Sequence, residues 1–184
     1  MPTIGVTGHR FVAGVERIAA GIEASLDRID RAFPGAVRTV LSCLAEGADR
    51  LVAQRMLARP GSRLIVPLPL PRDEYMKDFH SAKSKRAFLD LLARADEVIE
   101  LPPQPSRADA YRAAGLYVLD HSDVLIAVWD GEDVQGQGGT AEIVARARAR
   151  KLPIAWVHAG NRRLATTEPT SLGDEQGTVT FENF

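Results

Sequence analysis

The sequence predicts an α/β protein, a doubly wound, mainly parallel Rossmann-like sheet with helices on both faces. Two observations predict it. Short apolar runs alternate strictly with longer stretches of helical period, an order that implies parallel strands joined by crossover helices. The strands are apolar throughout rather than alternating, as a sheet covered on both faces requires.

Thr3–Thr7 reads as the first buried strand. From Val15, the residues Val15, Ile18, Ile22, Leu26, Ile29 and Phe33 recur three or four apart and so share one helix face, which Pro34-Gly35 ends. Val37–Cys43, rich in β-branched residues, is the second strand. Ala48–Ala58 is the second helix, stopped by Pro60-Gly61. Arg63–Pro67 is the third strand, followed by a proline-rich loop to Pro71 and a polar stretch from Asp73 to Phe79. Ala82–Ala93 is helical and Glu97–Leu101 is the fourth strand. After the loop 102–105 come a helix at Ala108–Asp120, a strand at Asp123–Trp129, a helix at Thr140–Arg150 and a strand at Pro153–His158. Residues 1–160 are expected to form one domain. Residues 161–184 read as a polar, loosely held tail with a short edge strand at Thr178–Phe181.

The 184 residues carry a formal net charge of -1, with 45% hydrophobic and 26% charged residues, the balance of a folded domain with a real core. Near-neutral charge argues against non-specific coating of nucleic acid, and 6% aromatic residues leave few platforms for stacking single strands. Cys43, the one cysteine, excludes an intramolecular disulfide and a cysteine-rich structural zinc site, and fits a reducing compartment. Met1 to Arg10 lacks the form of a signal peptide, and no apolar run approaches the roughly 20 residues of a spanning helix. A cytoplasmic protein without membrane partners is therefore expected.

In such a sheet, loops at the carboxyl ends of the strands converge on a crevice where the strand order reverses. Three loops carry unusual residues there. After the first strand comes Thr7-Gly8-His9-Arg10: Gly8 permits close backbone approach, Arg10 offers a planar fork to phosphate, and His9 can donate to phosphate or touch a base. The competing reading is a tight turn with a solvated arginine. After the second strand, Ser42 to Arg50 enters a helix at Gly47, where backbone amides and the helix dipole suit an anion, with Glu46, Asp49 and Arg50 close by. Asp49 can equally be an ordinary first-turn acid and Arg50 a surface residue. The third loop is the most specific. Trp129-Asp130-Gly131 leads through a polar stretch to Gly136-Gln137-Gly138-Gly139-Thr140-Ala141-Glu142, and glycines before a helix make a cradle of amides that Thr140 can cap. A flexible loop before a capped helix is the alternative. Gly-x-Gly-x-x-Gly is missing after the first strand, which argues against an ordinary nicotinamide dehydrogenase, and no Gly-Lys-Ser or Gly-Lys-Thr occurs, which excludes a P-loop NTPase.

These loops together resemble the SLOG superfamily, which includes LOG-type phosphoribohydrolases, the DNA-processing protein A family and YpsA-like proteins. The similarity runs over roughly Thr3 to His158. Ser42-Cys43-Leu44-Ala45-Glu46-Gly47-Ala48-Asp49 looks like that superfamily's Ser-Gly-x-Ala-x-Gly-x-Asp segment, with Cys43 in place of glycine. His121-Ser122-Asp123 before an apolar strand and Gly139-Thr140 also match. The resemblance implies a modified Rossmann fold, binding of a nucleotide or nucleoside phosphate, no required cofactor, and a homodimer or higher oligomer. Gln135 and Gln137 depart from the family's glycine-rich motif. The family's catalytic glutamate falls on Ile143 and its arginine near Ala113 or Ala114, whereas this chain has Glu142 and Arg112. One helix position turns a side chain by about 100°.

Three readings follow. In the first, a binding or sensing module, Gly8, His9, Arg10, Glu46, Gly47, Asp49, Arg50, Asp130, Gly131, Gly138, Gly139 and Thr140 wall the site, with Asp130 or Glu46 on ribose hydroxyls. In the second, a nucleoside 5'-monophosphate N-glycosidase, Glu142 stabilises the oxocarbenium ion or activates water and Arg112 positions the substrate. The third is a single-stranded DNA binder. Elsewhere, Asp73, Glu74, Tyr75, Asp78 and His80 lack diagnostic metal spacing and read as a solvated face, with Tyr75 a candidate to stack on a base. Tyr111 and Tyr117 read as packing, His121 as a capping group, and Cys43 as a buried packing residue. Arg146, Arg148, Arg150 and Lys151 suit the end of a helix dipole.

Overall fold

The structure, a computed structural model, describes residues 2–34, 38–132 and 139–184. Among these the strands are β1 (Thr3–Gly8), β2 (Thr39–Leu41), β3 (Arg63–Leu68), β4 (Glu97–Glu100), β5 (Val124–Trp129), β6 (Ile154–His158) and β7 (Val179–Glu182). The helices are α1 (Val15–Ala32), α2 (Ala48–Leu57), a single turn α3 (Arg72–Tyr75) continued by a 3-10 turn at Met76–Asp78, α4 (Ala82–Leu92), α5 (Arg107–Asp120) and α6 (Thr140–Ala149).

They form one sheet in the order β4-β3-β2-β1-β5-β6-β7, in which β1 to β6 run parallel and β7 pairs antiparallel with β6. The chain steps outward from β1 to β4, then crosses back to lay β5 on the other side of β1. The strand order therefore reverses between β1 and β5, the place where an open α/β sheet opens a crevice.

Every residue of β5 is buried, and its alternation sorts the core into two layers. Val124, Ile126 and Val128 join Ile18, Ile22, Leu26 and Ile29 of α1 and the inner faces of α2 and α4. Leu125, Ala127 and Trp129 meet Leu119 of α5 and Ile143, Val144 and Ala147 of α6. The four buried α1 residues bear out the predicted stripe, each contributing about 1.5–3 kcal/mol. Val15, expected on that face, is the first residue of α1 and is 47% exposed. At the far edge β4 carries Glu97 and Glu100, charges that discourage edge-to-edge pairing.

Two sequence expectations change. The stretch 73–79, read as a solvated loop and helix face, is helical at its start and sends Tyr75 and Phe79 into the core, where Tyr75 packs edge-on to Phe79 and Phe88, and Phe79 lies tilted against Phe88. Their four-residue spacing is the helical signal, hidden among charged neighbours. The polar segment after Asn161 is not loosely held. Gln176, 3% exposed, donates to the Ala13 carbonyl (2.7 Å) and accepts from the Gly160 and Leu172 amides (2.9 and 3.0 Å), pinning the segment to the β1–α1 loop before β7 joins the sheet.

Candidate functional site

Two adjoining chambers open at the carboxyl ends of β1 and β5. The outer one has a volume of about 410 Å³ and meets His9, Phe11, His80, Trp129 and Arg162. The inner one has a volume of about 340 Å³ and meets Cys43, Asp49, Tyr75, Tyr111, Gly115 and Ile143. Gly8, Arg10, Gly139 and Thr140 belong to both. The first and third loops thus meet as expected, and each chamber is of a size that holds small organic ligands.

The first loop is shaped by close packing. A Cβ on Gly8 would collide with the Val128 carbonyl and the Ala48 side chain, so only glycine lets β1 end against β5 and α2. His9 accepts the Asp130 amide at Nε2 (3.1 Å), which leaves its proton on Nδ1. Burial lowers its pKa, opposed by the Asp130 carboxylate, so the ring is neutral at pH 7. Arg10 donates from one terminal nitrogen to Glu46 (3.1 Å) and to the Asp78 carbonyl (2.9 Å), while its Nε has no partner among the described residues.

Glu46 corrects an expectation. It was a candidate for ribose hydroxyls, but its two oxygens accept from Arg10, from the His80 amide (3.0 Å) and from the Ser84 hydroxyl, and its Oε2 lies 3.2 Å from His80 Nδ1. Although burial alone would raise its pKa, these bonds hold the carboxyl below the usual range. Glu46 is thus an anchor for the chamber wall.

The second loop differs from expectation as well. A Cβ on Gly47 (φ +81°) would strike the carbonyls of His9 and Arg10, and the Ala48 amide donates to the His9 carbonyl (3.0 Å). The first loop therefore occupies the start of α2, where an anion was expected. Arg50, expected on phosphate, is 7% exposed. Its Nε donates to the Leu44 carbonyl (2.9 Å), one terminal nitrogen donates to Ser84, and the guanidinium lies over the Phe79 ring. Asp49 does border the inner chamber, accepting from Ser42 Oγ (3.2 Å) and the Ala45 amide (3.4 Å). Burial raises its pKa to about 6 against the pull of those bonds. Cys43 also borders the chamber rather than lying wholly in the core, and burial beside Asp49 pushes its thiol well up, so it is no nucleophile.

In the third loop, Gly138 lies outside the described residues, as do Gln135, Gly136 and Gln137. Gly139 precedes α6 with nothing within 4 Å of where a Cβ would stand. Thr140, expected as the cap, is the first helical residue. The cap is Gly139, which has no side chain to offer the first amides of α6. Thr140 borders both chambers and Ala141 the outer one. Gly131 (φ +82°) serves packing: a Cβ there would lie 2.5 Å from the Trp156 ring. Asp130, the other candidate for ribose, accepts the Glu132 amide (3.0 Å) beside His9.

Glu142 and Arg112 do not border either chamber. They form a two-pronged ion pair between α6 and α5 (2.7–3.2 Å), extended to Arg146. Ile143 and Gly115 face the inner chamber instead, in the direction that a one-residue helix shift dictates. His121 sits at the C-cap of α5, as expected, 2.8 Å from the Tyr117 carbonyl and stacked on that ring. Arg146, Arg148 and Arg150 pair with Glu142, Glu182 and Asp120, so the basic cluster is largely neutralised. Among the described residues there is no group of three metal-ligating side chains and no helix long and apolar enough to cross a membrane.

Sequence reasoning missed most of the walls. Tyr75, read as a candidate to stack on a base, is 1% exposed, and its buried hydroxyl has no partner among the described residues. Phe11, His80, Asn161 and Arg162 reach the outer chamber from segments far apart in sequence. Only Phe11, directly after Arg10, carried a local signal.

No family model matches the chain, and no curated protein matches it. Among solved structures it is similar to TM1055, an X-ray structure of a Northeast Structural Genomics Consortium target, at 15% identity over 84% of this chain and 72% of that one, with a TM-score of 0.47. The Rossmann-like α/β arrangement rests on the strand order itself.

Proposed function

We propose that the protein binds a nucleotide or nucleoside phosphate in this cleft, as a binding or sensing module. One observation carries the reading: Gly139 and Thr140 at the start of α6 and Arg10 after β1 border the same two chambers at the β1–β5 reversal. Helix-start amides, a helix dipole and a held guanidinium together suit a phosphate. The resemblance to the SLOG superfamily supports the same ligand class and carries the expectation of a homodimer, which light scattering reads. The N-glycosidase reading is supported less, because Glu142 and Arg112 neutralise each other outside the chambers. The single-stranded DNA reading loses the basic cluster on α6.

The test is a calorimetric and thermal-shift panel of AMP, GMP, CMP and UMP with their di- and triphosphates. At least one raises the unfolding midpoint and binds measurably, and Arg10→Ala weakens it. If the whole panel leaves the midpoint unchanged, the reading is wrong.

A further inference from the structure

The loop that carries Arg10 has little support along its own backbone. The His9 amide donates to the Val128 carbonyl (2.9 Å) and the His9 carbonyl accepts the Ala48 amide (3.0 Å). From Gly14 onward the chain is tied into α1, whose Arg17 and Ile18 amides donate to the Gly14 carbonyl (2.9 and 3.2 Å). Between these fixed points Arg10, Phe11, Val12 and Ala13 make one backbone hydrogen bond among the described residues: the Ala13 carbonyl accepts from Nε2 of Gln176 (2.7 Å), 163 positions along the chain. Val12 packs partly against the core, and Arg10 is held by its side chain. The bond from Gln176 is therefore the one that fixes the backbone path of a stretch that puts Arg10 at the waist shared by both chambers and Phe11 on the outer one.

Gln176 is itself firmly seated. Its Oε1 accepts from the Gly160 and Leu172 amides while its Nε2 reaches Ala13, so both ends of a side chain only 3% exposed are in use. The residues around it lie close against α1 and β6. A Cβ on Gly177 would strike the Arg17 carbonyl, the Gly177 amide donates to the His158 carbonyl (2.7 Å), and the Arg17 guanidinium donates to the Gly173 carbonyl (3.0 Å). A second contact joins the same two segments, because the Arg162 guanidinium lies over the Phe11 ring (5.3 Å). The C-terminal segment thus grips the first loop on both sides of Val12. A buried amide that lost one partner would leave a polar group dry, so loop and segment are energetically tied.

We propose that residues 161–178 are a strap on the first loop, with Gln176 as its positioning residue: the strap sets where Arg10 stands, and occupancy of the cleft and order of the strap are coupled. Whatever peels the strap from α1 relaxes the site, and a ligand bound through Arg10 tightens the strap by the same factor. The binding half of this coupling rests on the phosphate reading above.

Gln176→Glu in the intact chain separates the two ends of the residue, because a carboxylate still accepts from Gly160 and Leu172 but repels the Ala13 carbonyl. Limited trypsin digestion with mass mapping reads the loop without any ligand. Cleavage after Arg10 rises about fivefold or more relative to cleavage after Arg55 in α2, which reports opening of the whole domain. Arg17→Ala, an exposed change that frees Gly173 from α1, has the same effect more weakly and serves if the buried carboxylate prevents folding. By calorimetry, the tightest binder among AMP, GMP, CMP, UMP and their di- and triphosphates binds Gln176→Glu about threefold or more weaker than the wild type. In the wild type the same nucleotide slows hydrogen exchange of the Gly177 and Thr178 amides, a change that a merely structural glutamine would not produce. Unchanged cleavage after Arg10 in the variants, unchanged affinity, or exchange that ignores the nucleotide overturns the strap while the phosphate site stands. If no nucleotide binds the wild type, the phosphate reading falls, and the coupling with it.

Discussion

Nε of Arg50 donates to the carbonyl of Leu44 across 2.9 Å, and Leu44 is held at φ 56°, in the left-handed region that a branched side chain seldom adopts. The Leu44 amide donates in turn to Ser42 Oγ (3.1 Å). A side chain that looked in sequence like a phosphate ligand is thus the strut that bends the second loop beneath the first. Arg50→Met, which keeps much of the volume, should lower stability by about 3 kcal/mol and the midpoint by about 6–12 °C, read by thermal unfolding. An unchanged midpoint would show that the loop keeps its shape without the strut.

Arg10 works at the waist, and Glu46 holds it there. Arg10→Ala should weaken nucleotide affinity about 10- to 100-fold with little change in midpoint, because the guanidinium is partly exposed. Glu46→Gln should weaken it less, since the amide still accepts from Arg10 but without charge. Equal losses from both substitutions would mean that Glu46 does more than position Arg10.

Two glycines separate binding from folding. Gly139→Ala meets open space at a φ of -88°, so the fold should be unaffected while a methyl group beside the amide cradle weakens nucleotide binding about 3- to 10-fold. Gly8→Ala strikes backbone of β5 and should cost about 1–3 kcal/mol of stability. Chemical denaturation and calorimetry on both variants read the contrast.

The pH dependence carries the signature of Asp49. Its folded pKa of about 6 lies above the roughly 3.9 of an unfolded aspartate, so between those values the native chain binds more protons than the unfolded one. Its contribution is present below about pH 4 and is lost as pH rises through 6, a change of about 3 kcal/mol. Glu46 and Asp78, whose folded pKa values are lowered, run the opposite way and lose stability as pH falls. The difference between the wild type and Asp49→Asn isolates the first effect. The wild type should lose stability relative to the variant from pH 4 to 7, measured by urea unfolding, and a flat difference would remove Asp49 as the cause.

Glu142→Gln and Arg112→Ala should leave nucleotide affinity unchanged, because the pair lines neither chamber. The wild type should release no free base from nucleoside monophosphates, followed by chromatography. Base release abolished by Glu142→Gln would restore the glycosidase.

The order of strands and helices was legible in sequence because each element is set by local period: an apolar run such as Val124–Trp129 is buried whichever neighbour it meets, and the α1 stripe must face something apolar. The loops at the strand ends were legible as well, since glycines with arginine after a buried strand have few other uses. What each loop residue does was decided only by tertiary structure. Arg10 and Arg50 are chemically alike, and only the packing of Phe79 and the bend at Leu44 turns one inward and leaves the other at the chamber. Glu142 and Ile143 are adjacent, and a helix turns them about 100° apart, so a one-residue shift exchanges a carboxylate for a methyl group. Phe11, His80, Trp129 and Arg162 come together from four distant segments. Spacing along a chain reports which residues share a face, but convergence across a sheet depends on which strands lie side by side, and that choice belongs to the folded core.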